Sequence, residues 1–186
     1  MGFRKAFLKE DDGEGLRPTA AKVREALFDI IRKELPGSAF LDLYAGTGGV
    51  GIEALSRGAG EAVLVETNKL RVRMIRHLLG EFGFSDRARV LNQKAWDFTV
   101  GEGGRGHLYD IIFLDPPYQS GEIEKLLSLI GEGKIVRAGG LVIAEHFFKT
   151  MLPASAGRLQ FVKSYKYGDT VLSMYRAVSD SGGGAG

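Results

Sequence analysis

Residues 39–66 read AFLDLYAGTGGVGIEALSRGAGEAVLVE. An apolar run, Ala39 to Tyr44, breaks at a cluster of glycines, Gly46, Gly48, Gly49 and Gly51. A short helical stretch and a second apolar run, Glu61 to Glu66, follow. The spacing Gly46-x-Gly48-x-x-Gly51 falls between a strand and a helix, and Glu66 stands 20 residues after Gly46. This is the pattern of a nucleotide-binding turn: glycines bring the backbone close to a ligand, and the later acid meets ribose hydroxyls. So many coincident features weigh against a tight turn that binds nothing.

Working outward, the chain alternates helix and strand. Thr19 to Glu34 carries apolar residues Val23, Ala26, Leu27, Ile30 and Ile31 at spacings of three and four, with Thr19 placed to cap the start. After Glu66 come a helix over Asn68 to Phe84, a strand over Ala88 to Asn92, a strand over Tyr109 to Asp115, a helix over Glu122 to Ile130 and a strand over Gly140 to Glu145. The glycines of VGEGGRGHL (100–108) read as a loop. Arg158 to Tyr165 and Thr170 to Ala177, separated by a short turn, read as a hairpin. Nearly all-apolar strands alternating with helices predict an α/β fold of Rossmann-like form. It would have a mostly parallel, seven-stranded sheet, a closing antiparallel hairpin and helices on both faces. Residues 16–178 form its single domain, between a short extension, 1–15, and a glycine-rich tail, 179–186.

Composition narrows the chemistry. The chain has 186 residues, 25 Lys plus Arg against 23 Asp plus Glu, 27 Gly, three His and no Cys. Without cysteine there is no disulfide framework, thiol nucleophile or thiolate metal site, and three scattered histidines make no metal cluster. No metal is expected. No apolar run approaches the roughly 18 residues of a membrane span, and the first residues have no signal-peptide core. A cytoplasmic protein, monomeric and away from membranes, is the expectation.

Asp42 decides between cofactors. A carboxylate on the strand just before the glycine loop would crowd a pyrophosphate, but suits the cationic amino-acid end of S-adenosylmethionine. Tyr44, Gly46, Thr47, Gly48, Gly51 and Glu66 complete the expected cofactor set. Asp97, after the third strand in NQKAWDF (92–98), reads either as an acceptor for an adenine amine, with Trp96 as a stacking surface, or as a helix N-cap.

The fourth strand ends in Asp115-Pro116-Pro117-Tyr118. Two prolines fix the backbone and remove two N–H donors, so only acceptors remain. The Asp115 carboxylate and the Pro116 carbonyl could take both hydrogens of an exocyclic amine and aim its lone pair at a methyl sulfonium. Tyr118 would stack on an extruded base. Asp115 also borders the cofactor. Alone, the tetrapeptide marks a rigid turn; in register with the glycine loop and Glu66, it marks a catalytic site.

Three segments together, RPTAAKVREALFDII (17–31), LDLYAGTGGVGIEALSRGA (41–59) and LDPPY (114–118), resemble the bacterial small-subunit ribosomal RNA guanine-N2 methyltransferase family, the D enzymes. The closing YKYGDTVLSMYR (165–176) is similar as well. The resemblance implies methyl transfer from S-adenosylmethionine to N2 of one guanine in 16S ribosomal RNA on a seven-stranded methyltransferase fold. Gly46, Gly48 and Glu66 would hold the cofactor, and Asp115 to Tyr118 the base. The family usually opens with a glycine- and arginine-rich hairpin, and residues 1–15 depart from that pattern. The partner would be 16S RNA, free or within an assembling small subunit.

Expected RNA contacts are Arg17, Thr19, Lys22 and Arg24 around the first helix and Lys166 and Tyr167 near the end, with His146, Lys149 and Lys163 as further candidates for the base pocket. The basic run Lys69 to Lys94 reads mainly as the solvated face of a helix. The competing activities are adenine-N6 methylation, which uses a similar Asp/Asn-Pro-Pro-aromatic site, and a nicotinamide oxidoreductase.

Overall fold

The computed structural model describes residues 18–103, 106–117, 121–133 and 135–179. Its elements, in chain order, are α1 (Pro18–Ile30), β1 (Ala39–Asp42), α2 (Gly49–Ser56), β2 (Glu61–Glu66), α3 (Lys69–Glu81), β3 (Ala88–Asn92), α4 (Ala95–Gly103), β4 (Tyr109–Leu114), α5 (Glu122–Glu132), β5 (Val136–Phe147), β6 (Ser155–Ala156), β7 (Leu159–Tyr167) and β8 (Thr170–Ala177). A single 3₁₀ turn, Ser85–Arg87, leads into β3.

The sheet order is β3-β2-β1-β4-β5-β8-β7-β6. The first five strands are parallel, and β8, β7 and β6 add on antiparallel. Chain order reverses between β1 and β4, so the crevice above their C-terminal ends is where such a sheet binds ligands. The predicted fold class holds, with eight strands instead of seven. The extra one, β6, is only two residues long, below anything a pattern of alternating hydrophobicity can register.

Two apolar layers sandwich the sheet. Val23, Leu27, Ile52 and Ile75 from α1, α2 and α3 pack with Phe40, Leu64, Phe113 and Ile143 on one face. Phe98, Leu126, Leu127 and Ile130 from α4 and α5 pack with Leu41, Val63, Ile112 and Val142 on the other. Side chains alternate between faces along a strand. Asp42 (with Phe40), Glu66 (with Leu64) and Glu145 (with Ile143) therefore point to the α1–α3 side, at the strand tips.

Several boundaries differ from expectation, β5 among them, which starts at Val136 and runs to Phe147. α1 stops at Ile30, because the backbone tightens into the turn Glu34 N to Ile31 O before Pro36. Thr19 lies inside that helix and is not its cap. Asn68 caps α3, accepting from Leu70 N at 2.9 Å and Arg71 N at 3.2 Å. The expected glycine loop begins with helix α4, which holds Gly101 and Gly103. Burial of Ala95, Phe98 and Thr99, with the Thr99 hydroxyl on Ala95 O at 2.8 Å, outweighs the low helix propensity of its glycines.

Candidate active site

The glycine loop is tied down by an acid. Glu66 Oε2 accepts from Gly46 N at 2.9 Å, and its Oε1 accepts from Asn68 N at 2.7 Å and from the Thr67 hydroxyl at 3.3 Å. A carboxylate has about four acceptor sites, so Glu66 fastens the loop to the start of α3 and keeps capacity facing the crevice. Gly48 caps α2 in the left-handed region, φ 85°, with its N–H on Ala45 O at 2.7 Å. A Cβ there would also lie 2.9 Å from Ile75, so both backbone and packing demand glycine. Gly51 is different. It is buried in α2, where a Cβ would meet Leu64 Cδ2 at 2.5 Å. It holds the helix close to β2 and meets the crevice only through its N–H, which bonds to Asp42. Thr47 is exposed at the loop apex.

Asp42 is 1% exposed. Burial raises its carboxyl to about 7. The Tyr44 N–H lowers it, the neighbouring Asp115 raises it, the Gly51 N–H lowers it and Glu66 raises it again. Asp115 sits one residue past β4 and opens to the crevice. Glu145 lies beside it, because Leu114 pairs with Ala144 in the preceding register position. Loss of solvation at the strand tips pushes both carboxyls up, and the negative Asp115 pushes Glu145 further. The pair titrates with apparent values of about 6 and about 8. Four carboxylates, Asp42, Glu66, Asp115 and Glu145, thus converge on one end of the sheet. Among the described residues no group of acids and histidines has metal-holding geometry.

Beside it, between the β1 and β2 tips and helices α4 and α5, lies a largely apolar cavity of about 610 Å³. Its walls include Leu43, Glu66, Gln93, Trp96, Pro117 and Leu126. Tyr44 donates its hydroxyl proton to Glu122 Oε2 at 2.7 Å and braces one wall. The volume and apolar character suit an adenosine-sized ligand.

The structure brings together Asp42, Tyr44, Gly46, Glu66, Asp115 and Pro117, with Pro116 buried beneath them. Tyr118 and Arg17 lie outside the described residues. Asp97 is exposed, in the first turn of α4, and does not line the cavity. It is not the N-cap either, since Lys94 precedes the helix and its carbonyl takes the Phe98 N–H. Gln93, Lys94, Ala95 and Trp96 occupy the wall where Asp97 was expected. Glu145 was missed, although GLVIAE ends in an acid just as AFLD, EAVLVE and FLD do.

The expected RNA contacts divide. Lys22 and Tyr167 share a surface groove with Tyr165. Arg24 pairs with Glu53 on α2, Nε to Oε2 at 3.0 Å, and so joins two helices. Lys166 lies over Phe148, 4.3 Å from the ring centre. Thr19 has its backbone in α1. His146 departs from the base-pocket reading: it is buried, bonds Ser173 at 2.8 Å, and burial lowers its pKa. In the basic run, Arg76 bonds Val90 O and Arg87 bonds Ala59 O, which spends both on structure.

The family model described as Conserved hypothetical protein 95 matches residues 2–176. The chain is 34% identical to the ribosomal RNA small subunit methyltransferase D of Haemophilus influenzae over 135 residues, 72% of this chain and 69% of that protein. The chain belongs to this methyltransferase family. The Escherichia coli protein of the same name is 29% identical over 94% of this chain and 86% of its own length. Among solved structures, a hypothetical protein of Thermus thermophilus superposes with TM-score 0.75 at 32% identity, covering 90% of this chain and 91% of that one. An RNA methyltransferase from Salinibacter ruber, solved with S-adenosylhomocysteine, shares the family's fold at TM-score 0.67 and 15% identity, covering 90% of this chain and 98% of that one.

Proposed function

We propose that this protein is a ribosomal RNA methyltransferase that uses S-adenosylmethionine and modifies N2 of a guanine in 16S RNA. The observation that carries the reading is the convergence of Asp42, Glu66, Asp115 and Glu145 beside the apolar cavity. Pyrophosphate would meet these charges at close range and find the Gly46 N–H already held by Glu66, which counts against a nicotinamide cofactor. A cofactor carrying an ammonium and a sulfonium gains from the same charges. The cavity walls at Gln93 to Trp96 would take its adenosine part, and the region of Asp42 and Asp115 its charged end. Bound S-adenosylmethionine would supply an activated methyl group on cationic sulfur.

The chain's own part is to position the acceptor. Asp115, standing clear of β4 on the rigid prolines, accepts N–H hydrogens of the target base. Guanine presents N1–H and N2–H side by side, which matches the two oxygens of a carboxylate. Adenine presents a donor beside an acceptor, which matches an amide. Aspartate at 115 therefore favours guanine. The amine nitrogen must shed a proton when it is methylated, and Asp115 would be placed to receive it. The names of the relatives support a small-subunit RNA substrate. We place the reaction on a monomer, with the base presented by an assembling small subunit.

Mapping modified nucleotides in 16S RNA from cells with and without the gene tests this. One N2-methylguanine should vanish on deletion and return with the wild type. With Asp115→Ala it should stay at least about a hundredfold lower, in line with loss of an electrostatic catalytic contact. A missing N6-methyladenine, or an unchanged map, would overturn the reading.

A further inference from the structure

Phe148 immediately follows β5 and is 37% exposed. Two ammonium groups bear on its ring, Lys166 Nζ at 4.3 Å and Lys149 Nζ at 5.7 Å from the centre. Phe147 packs against the ring at a tilt, with centroids 4.7 Å apart, and the Phe148 backbone N–H donates to Asp169 O at 2.9 Å. The β7–β8 turn that supplies Lys166 and Asp169 reaches the same end of the sheet as the strand-tip acids, since Phe147 pairs with Thr170 and Thr170 with Tyr167. An exposed aromatic costs solvation, and two cations gathered on one ring repel each other. Both costs are relieved if a base covers the ring face and a phosphate lies between the ammonium groups.

Distance along the strand sets which base. Phe148 is three residues beyond Glu145, roughly 10 Å of extended chain, and Glu145 neighbours Asp115. That is the span from an extruded nucleotide to one adjacent in the strand. We propose that Phe148 is a stacking platform for a nucleotide next to the methylated one, with Lys149 and Lys166 clamping the intervening phosphate. The inference rests on the RNA methyltransferase reading above.

Steady-state kinetics with the 16S RNA of assembling small subunits from cells lacking the gene test both and keep them apart. Phe148→Leu keeps the apolar contact with Phe147 but removes the π face. It should raise KM for RNA about tenfold, as expected for one lost base stack, while cofactor affinity measured by calorimetry stays at the wild-type value. Phe148→Trp should restore KM. Replacing Lys149 and Lys166 by Gln should flatten the dependence of log KM on log salt by about one to two phosphate equivalents. An unchanged KM in Phe148→Leu, or a rise that Phe148→Trp does not reverse, overturns the platform and leaves the RNA methyltransferase reading intact. Failure of the wild type to label this RNA overturns both.

Discussion

At residue scale, the decisive side chains are acids held where acids are expensive. Asp42 is buried with its carboxyl raised to about 7, and Asp115 and Glu145 follow with about 6 and about 8. A carboxyl whose folded pKa lies above its unfolded value stabilises the fold fully below the unfolded value, and that contribution is lost as pH rises through the folded one. The cluster should therefore make the protein less stable as pH rises from about 4 to about 8. Asp42→Asn, read by thermal denaturation across that range, should flatten the slope, most clearly between about pH 4 and about pH 7. A slope unchanged by the substitution would mean that Asp42 is not the burdened group. These acids were legible in the sequence one at a time, each as the last residue of an apolar run. Their mutual approach was not, because it depends on strand order. Only the parallel neighbours β1, β2, β4 and β5 put four chain-distant tips side by side. Asp97 shows the opposite failure: an acid at a plausible spacing that the first turn of α4 carries out of the cavity.

Among the elements, the long amphipathic helices and buried strands were readable because periodicity reports burial directly. α4 was obscured because its glycines mimic a loop while only Ala95, Phe98 and Thr99 anchor it. The α5 end was also read short, since Gly131 looks like a terminator. In the fold Gly131 is helical, and it is the point where α5 docks on the turn between β6 and β7. A Cβ on Gly131 would run into the Ala156 carbonyl oxygen, and the Gly131 carbonyl takes the Arg158 N–H at 2.9 Å. Two backbones in contact have no rotamer with which to yield. Gly131→Ala should cost about 2–3 kcal/mol, at the upper end for overpacking. Urea denaturation measures this, and a loss below about 0.5 kcal/mol, the size of an ordinary surface change, would show that β6 moves aside freely.

For the whole molecule, the sheet separates two tasks between its faces. The apolar cavity lies toward α4 and α5, while Asp42 and Glu145 point toward α1, α2 and α3, and Glu66 stands at the border, in the cavity wall. The net charge is +2 over 186 residues. On the proposed reading, nucleic-acid contact would centre on the rim, where Lys22 and Tyr167 line one groove with Glu25 and Asp29, and Lys149 and Lys166 flank Phe148. The gathered carboxylates also set a direction for the catalytic cycle. Methyl transfer turns a sulfonium into a neutral thioether, so the field that attracts the incoming cofactor loosens its hold once the reaction is over. On the proposed reading, discharge of one positive charge would favour release of the spent cofactor. A non-transferable analogue with a protonated amine in place of the sulfonium should accordingly bind about tenfold more tightly than S-adenosylhomocysteine in calorimetry, the worth of one charge-assisted contact. The advantage should shrink as pH falls through about 6 and the acids neutralise. Equal affinities at about pH 8, where Asp115 is ionised, would show that the spent cofactor leaves by another route.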